Sequence, residues 1–141
     1  MDTPSPSEPI GGKRVLVVDD EPRIAEILTA MLAEDGHEVD TADQGLLALG
    51  MVQLRPYDLI LCDIRMPGLD GPGFYAELER SRPDLLGRIL FVTGNRFSPE
   101  VEAFLERTGA PSLPKPFRQE DVHRCTQEML RRGMESFTAG K

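Results

Sequence analysis

Leu59-Ile60-Leu61-Cys62-Asp63-Ile64-Arg65-Met66-Pro67-Gly68 runs four apolar residues straight into a carboxylate and then into a Pro-Gly turn. An unbroken apolar run of this length reads as a strand buried on both faces, as in the interior of a parallel sheet. Asp63 then stands at the carboxyl end of a central strand. In open α/β sheets that end is where ligands bind.

Working outward, Lys13–Val18 closes on Val15-Leu16-Val17-Val18, a second doubly buried strand, and Asp19-Asp20-Glu21-Pro22 follows at once. The acids and the proline suit a helix start. Ile24, Ile27, Leu28, Met31 and Leu32 then repeat at helical spacing until Gly36. His37–Ala42 is short and half-polar, as expected of a strand at the sheet edge. Asp43 is placed to cap a second helix, whose inward face is read as Leu46, Leu47, Leu49, Gly50 and Leu54 before Pro56 stops it. Beyond the Asp63 strand, a helix is predicted over Gly73–Arg80 with Phe74 and Leu78 inward. A fourth strand covers Arg88–Val92 and delivers Thr93 at its end. Ser98-Pro99 opens a helix carrying Val101, Phe104 and Leu105, closed by Gly109. A short strand at Ser112-Leu113 leads to Lys115-Pro116-Phe117. A last helix from about Arg118 to Arg132 packs through Val122, Cys125, Met129 and Leu130.

Strands and helices that alternate in this way imply a parallel sheet with helices on both faces. Five strands fit a flavodoxin-like doubly wound α/β fold of order 2-1-3-4-5. The expected organisation is a disordered arm or linker over 1–12, one domain over 13–132, and a polar tail over 133–141, too short for an output domain.

The 141 residues carry a formal net charge of −8, which argues against a nucleic-acid surface, since phosphate binding needs clustered Lys and Arg. The N-terminal residues have no cationic start and no apolar stretch, so no secretory signal is expected, and no apolar run approaches the roughly 18 residues of a membrane span. A cytoplasmic location without membrane contact is the expectation. Cys62 and Cys125 form no metal or redox motif, and with only His37 and His123 a histidine-based metal site or triad has too few ligands.

Four of the five strands place a hydrophilic residue at their carboxyl end: Asp19-Asp20, Asp63, Thr93 and Lys115. Taken singly these are ordinary features: acids that cap a helix, an Asp before a turn, a Thr-Gly strand end, a Lys-Pro pair. Together they converge on one rim. Three carboxylates gathered there repel one another unless a hard cation such as Mg2+ joins them. Lys115 and Thr93 would add a positive charge and a hydroxyl toward the oxygens of a phosphoryl group in transit, leaving Asp63 as its acceptor.

From Lys13 to Arg132 these residues resemble the receiver domains of two-component response regulators. Val15–Pro22 resembles the acidic-pocket motif, Asp63–Gly68 the phosphoacceptor motif, and Phe91–Gly94 with Leu113–Phe117 the two remaining signatures. The resemblance implies that Asp63 accepts a phosphoryl group from the phosphohistidine of a sensor histidine kinase or histidine phosphotransfer domain. It further implies that Asp20, Asp63 and the Arg65 carbonyl ligate Mg2+, that Asp19 acts through water, and that Thr93 and Lys115 contact the phosphoryl oxygens. The Lys115–Pro116 bond is expected to be cis. Such a protein is a signalling phosphoacceptor rather than an enzyme. It acts on a downstream protein partner through the face of its fourth helix, fifth strand and fifth helix.

One position departs from the family. Many receivers carry Tyr or Phe three residues before the lysine, a ring that turns inward when the Thr moves toward phosphate; here it is Ser112. The switch is therefore expected to run differently, through the loop from Thr93 to Ser98. The segment Arg88–Gly94, with Gly109–Pro111 and Lys115–Phe117, also resembles receivers attached to hybrid sensor kinases more than those attached to DNA-binding domains. Competing readings are a Mg2+-dependent aspartyl-phosphate phosphatase, whose Asp-x-Asp pattern is broken here by Glu21, and an unphosphorylated interaction module. A flavodoxin is excluded because acids occupy the place of its phosphate loop.

Overall fold

The computed structural model describes residues 9–94 and 98–139, with side chains described through Gly133. Five strands, β1 (Arg14–Val18), β2 (Glu38–Ala42), β3 (Leu59–Asp63), β4 (Ile89–Thr93) and β5 (Ser112–Pro114), form one sheet in the order β2-β1-β3-β4-β5. All four pairings are parallel. The helices are α1 (Pro22–Glu34), α2 (Gly45–Leu54), α3 (Gly71–Ser81), α4 (Pro99–Thr108) and α5 (Gln119–Ala139), with a 3-10 turn over Pro83–Arg88. Among the described residues, no helix is long and apolar enough to cross a membrane.

The two apolar faces of the sheet fill separate cores. Leu16, Ile60, Cys62 and Phe91 face one with Phe74, Leu78 and Phe104; Val15, Val17, Leu61 and Val92 face the other with Leu28, Leu32 and Val122. β3 and β4 are buried at every position, because neighbouring strands close their edges and helices close both faces. Gly109 ends α4 in the left-handed region, φ 69°.

Three expectations change. On α2 the residues turned inward are Gly45, Ala48 and Val52, while Leu46, Leu47 and Leu54 are exposed. The small residues decide this: a Cβ on Gly45 would lie 2.6 Å from the Leu69 carbonyl oxygen, so the helix can seat closely only on that side. The N-cap of α2 is Gln44 rather than Asp43, with no side-chain cap bond. α5 continues to Ala139, through most of the stretch read as a polar tail.

The arm read over 1–12 is built in at its end. Ile10 is buried in the core beside α1 and α5. Its N–H donates to Gln127 Oε1 at 2.6 Å, and its carbonyl accepts from Gln127 Nε2 at 2.9 Å. Residues 1–8 lie outside the described residues.

Candidate functional site

The carboxyl ends of β1, β3, β4 and β5 bring the predicted residues to one rim. β1 ends at Val18, and Asp19 is tied to the sheet by its N–H, which donates to the Ala42 carbonyl at 3.0 Å. Its Oδ1 accepts from the Glu21 N–H at 2.9 Å. This turns the chain into α1, where Pro22 occupies the first helical turn. Asp63 closes β3 and is 6% exposed. The Arg65 N–H reaches back to Asp63 Oδ1 at 3.4 Å, so the Arg65 peptide borders the carboxylate. Thr93 closes β4 and is buried; its carbonyl accepts from the Lys115 N–H at 2.8 Å, which fixes the start of the β5–α5 loop. The Lys115–Pro116 bond is cis.

One oxygen from each of Asp19, Asp20 and Asp63 lies within 4.8 Å of the others. Lys115 Nζ stands 3.7 Å from Asp63 Oδ2. Burial raises the pKa of Asp63 to about 6; the Asp19 charge adds to the rise, and Lys115 opposes it. Asp19 is also raised, again chiefly by burial, with its bond from Glu21 and the Lys115 charge opposing. Asp19 Oδ2 is buried without a hydrogen-bond partner. A buried acceptor of this kind is costly, and a charged one more so. The donor set is therefore all oxygen, crowded and electron-rich, with one carboxylate oxygen unpartnered, which fits a small hard divalent cation.

Two supporting residues escaped the sequence reading. Gly71, which opens α3, lets that helix start directly against the end of β3: a Cβ there would lie 2.8 Å from Ile64 Cα and 3.0 Å from the Asp63 carbonyl oxygen. Asp70 caps α3, its Oδ1 accepting from the Gly73 N–H at 2.9 Å. The Asp70-Gly71-Pro72 run was the available signal, an N-cap followed by first-turn residues. Ser112, in the place of the switch aromatic, is half-buried on β5. Residues 95–97, within the loop expected to move, lie outside the described residues.

The family model "Response regulator receiver domain" matches residues 15–127. The transcriptional regulatory protein TcrA of Mycobacterium tuberculosis is 33% identical over 124 residues, covering 88% of this chain and 48% of that protein. The chain thus spans about half the length of the curated relatives it matches. Among solved structures, the chemotaxis protein CheY4 of Vibrio cholerae superposes with a TM-score of 0.73 at 31% identity, over 84% of this chain and 99% of that one. The signal receiver domain of a histidine kinase from Syntrophus aciditrophicus gives 0.78 at 26% identity, over 86% and 92%.

Proposed function

This chain belongs to the response regulator receiver domain family, and from that premise we propose that it is the phosphoacceptor of a two-component phosphorelay, charged at Asp63. The observation that carries the proposal is the carboxylate triad of Asp19, Asp20 and Asp63, with Asp19 Oδ2 unpartnered and Lys115 Nζ 3.7 Å from the acceptor.

The donor is a phosphohistidine on a sensor histidine kinase or phosphotransfer domain. An ionised Asp63 oxygen attacks phosphorus in line; the new O–P bond forms as the P–N bond breaks, and the released imidazole takes up a proton. Mg2+ held by Asp20, Asp63 and the Arg65 carbonyl, with Asp19 acting through water, would supply positive charge to the phosphoryl oxygens. Lys115 supplies a second positive charge from the opposite flank. Thr93, anchored at the end of β4, offers a hydroxyl to the same oxygens. These groups lower the cost of charge redistribution, but none turns over, so the protein assists its own phosphorylation and slow dephosphorylation without being an enzyme in the usual sense.

The phosphorylated state would then bias the α4-β5-α5 surface toward a downstream protein partner. The domain itself contacts neither nucleic acid nor membrane in this reading; any such contact belongs to other parts of a longer protein.

Incubation with acetyl phosphate and Mg2+, read by intact mass, is expected to add one phosphoryl group to the wild-type chain and none to Asp63→Asn. Labelling that persists in Asp63→Asn overturns the assignment. Multiple turnovers of small phosphoesters would favour the phosphatase reading instead.

A further inference from the structure

Three of the four large hydrophobic side chains exposed among the described residues sit on α2: Leu46 at 66%, Leu47 at 47% and Leu54 at 84%. At 100° per residue these leucines, with Gln53, fall within about a third of the helix circumference, and Gly50 lies at the centre of that arc. α2 carries no charged residue from Gly45 to Leu54, although 28% of the chain is charged. A helix face meant for water would normally carry charges. Gly50 is equally out of place, since glycine weakens a helix interior relative to alanine. The monomer does not need it: a Cβ at Gly50 would meet nothing within 4 Å.

We propose that this face of α2 binds the same face of a second copy of the chain, in an antiparallel helix pair crossing at Gly50. The arrangement is self-complementary. Leu46 and Leu54 lie four residues either side of Gly50, so a two-fold axis at the glycine sets Leu46 against Leu54 of the other copy, twice. Glycine at the crossing lets the helix axes approach closely, with the leucines filling the flanks. The charges at the helix ends select the same occupant. Asp43 precedes α2 and Arg55 follows it, and both are exposed. Antiparallel pairing brings Asp43 of one copy to within about two residues, or roughly 3 Å along the axis, of Arg55 of the other. An extended guanidinium spans that offset. Arg55 already holds Asp40 at 3.1 Å with 57% of its side chain exposed, so its position is set while much of it stays accessible.

A single helix pair buries less than the roughly 1,200 Å2 of a standard stable interface, so a dissociation constant of about 10 µM to 1 mM is expected. The inference does not rest on the phosphoacceptor reading.

Sedimentation of the intact chain over that concentration range, about 10 µM to 1 mM, is expected to show the average mass rising toward the dimer. Leu54→Glu should stay monomeric while folding and taking up phosphoryl groups as wild type does. Gly50→Ala should raise helix stability yet weaken association. Asp43→Arg and Arg55→Glu should each associate less than wild type, and their mixture should recover dimer, because opposite charges then meet at both ends. A chain monomeric throughout overturns the proposal and leaves the leucines to a different partner. Association unchanged in Leu54→Glu overturns it as well.

Discussion

Lys115 Nζ stands 3.7 Å from Asp63 Oδ2, beyond hydrogen-bond length yet close enough for strong charge attraction at a buried rim. The lysine thereby favours the ionised form of Asp63 without a direct hydrogen bond to its carboxylate. It is the largest influence lowering the Asp63 pKa, set against burial and the Asp19 charge. Lys115→Ala should therefore move the Asp63 titration upward from about 6, and Lys115→Arg should largely hold it in place. Carboxyl 13C shifts followed in metal-free buffer test this. An Asp63 midpoint unmoved in Lys115→Ala would remove the lysine from the role given to it.

The same raised pKa ties stability to pH. An ordinary carboxyl titrates near pH 4, and Asp63 in the fold at about 6. Between those values the folded chain binds the Asp63 proton more tightly than the unfolded chain does. This contribution is fully present below about pH 4, declines as pH rises through the window, and is gone above about 6. In the absence of divalent ions, Asp63→Asn should be more stable than wild type by on the order of 2 kcal/mol at pH 7.5, with no gain near pH 4. Adding Mg2+ should narrow the gap by stabilising only the wild type. Urea unfolding at the two pH values, with and without Mg2+, measures all three effects. A wild type more stable than Asp63→Asn in chelator at pH 7.5 contradicts the electrostatic account.

Ile10 and Gln127 yield a prediction that composition alone would not suggest. The Gln127 amide donates to the Ile10 carbonyl and accepts from its N–H, at a buried position. Gln127→Ala leaves both backbone groups unpaired at a cost of roughly 1–3 kcal/mol. Gln127→Glu keeps the acceptor but loses the donor. Thermal unfolding should rank wild type above both variants, and removal of residues 1–10 should make Gln127→Ala nearly harmless. Full additivity of the two changes would show that the clamp does not form.

That clamp marks where sequence reading ends. The strands, their order and the rim residues are legible because each rests on a local pattern: an apolar run, then a polar residue at its end. Ile10 and Gln127 are 117 residues apart, and a glutamine within an amphipathic helix gives no sign that it points inward. α2 failed for a different reason. Nearly all its residues are apolar, so periodicity names no face, and the choice falls to Gly45 and Ala48, whose small size admits close packing. Gly71 is similar, since its need is set by the Asp63–Ile64 backbone pressing against it.

The aromatic contacts of α4 give the last prediction. Phe104, midway along α4, packs edge-to-face against Phe91 of β4 at 5.2 Å and against Tyr75 of α3 at 5.6 Å. Such pairs add about 0.5–1.5 kcal/mol each beyond their buried area, which pins the middle of the helix to sheet and neighbour. Position 112 offers a serine in place of a ring that could swing inward and carry the helix with it. The N-terminal turn of α4 lacks such ring contacts: Ser98 makes no side-chain cap bond to the helix, and its hydroxyl pairs with Glu100 Oε1 at 3.0 Å. Beryllofluoride with Mg2+ should therefore shift backbone resonances strongly from Thr93 to Val101 and little around Phe104 and Gly109. In Phe104→Leu, which loosens the anchor, the shifts should extend to the end of α4. A wild-type response that already displaces the whole helix, as in receivers with a switch aromatic, would refute the pinned-helix account.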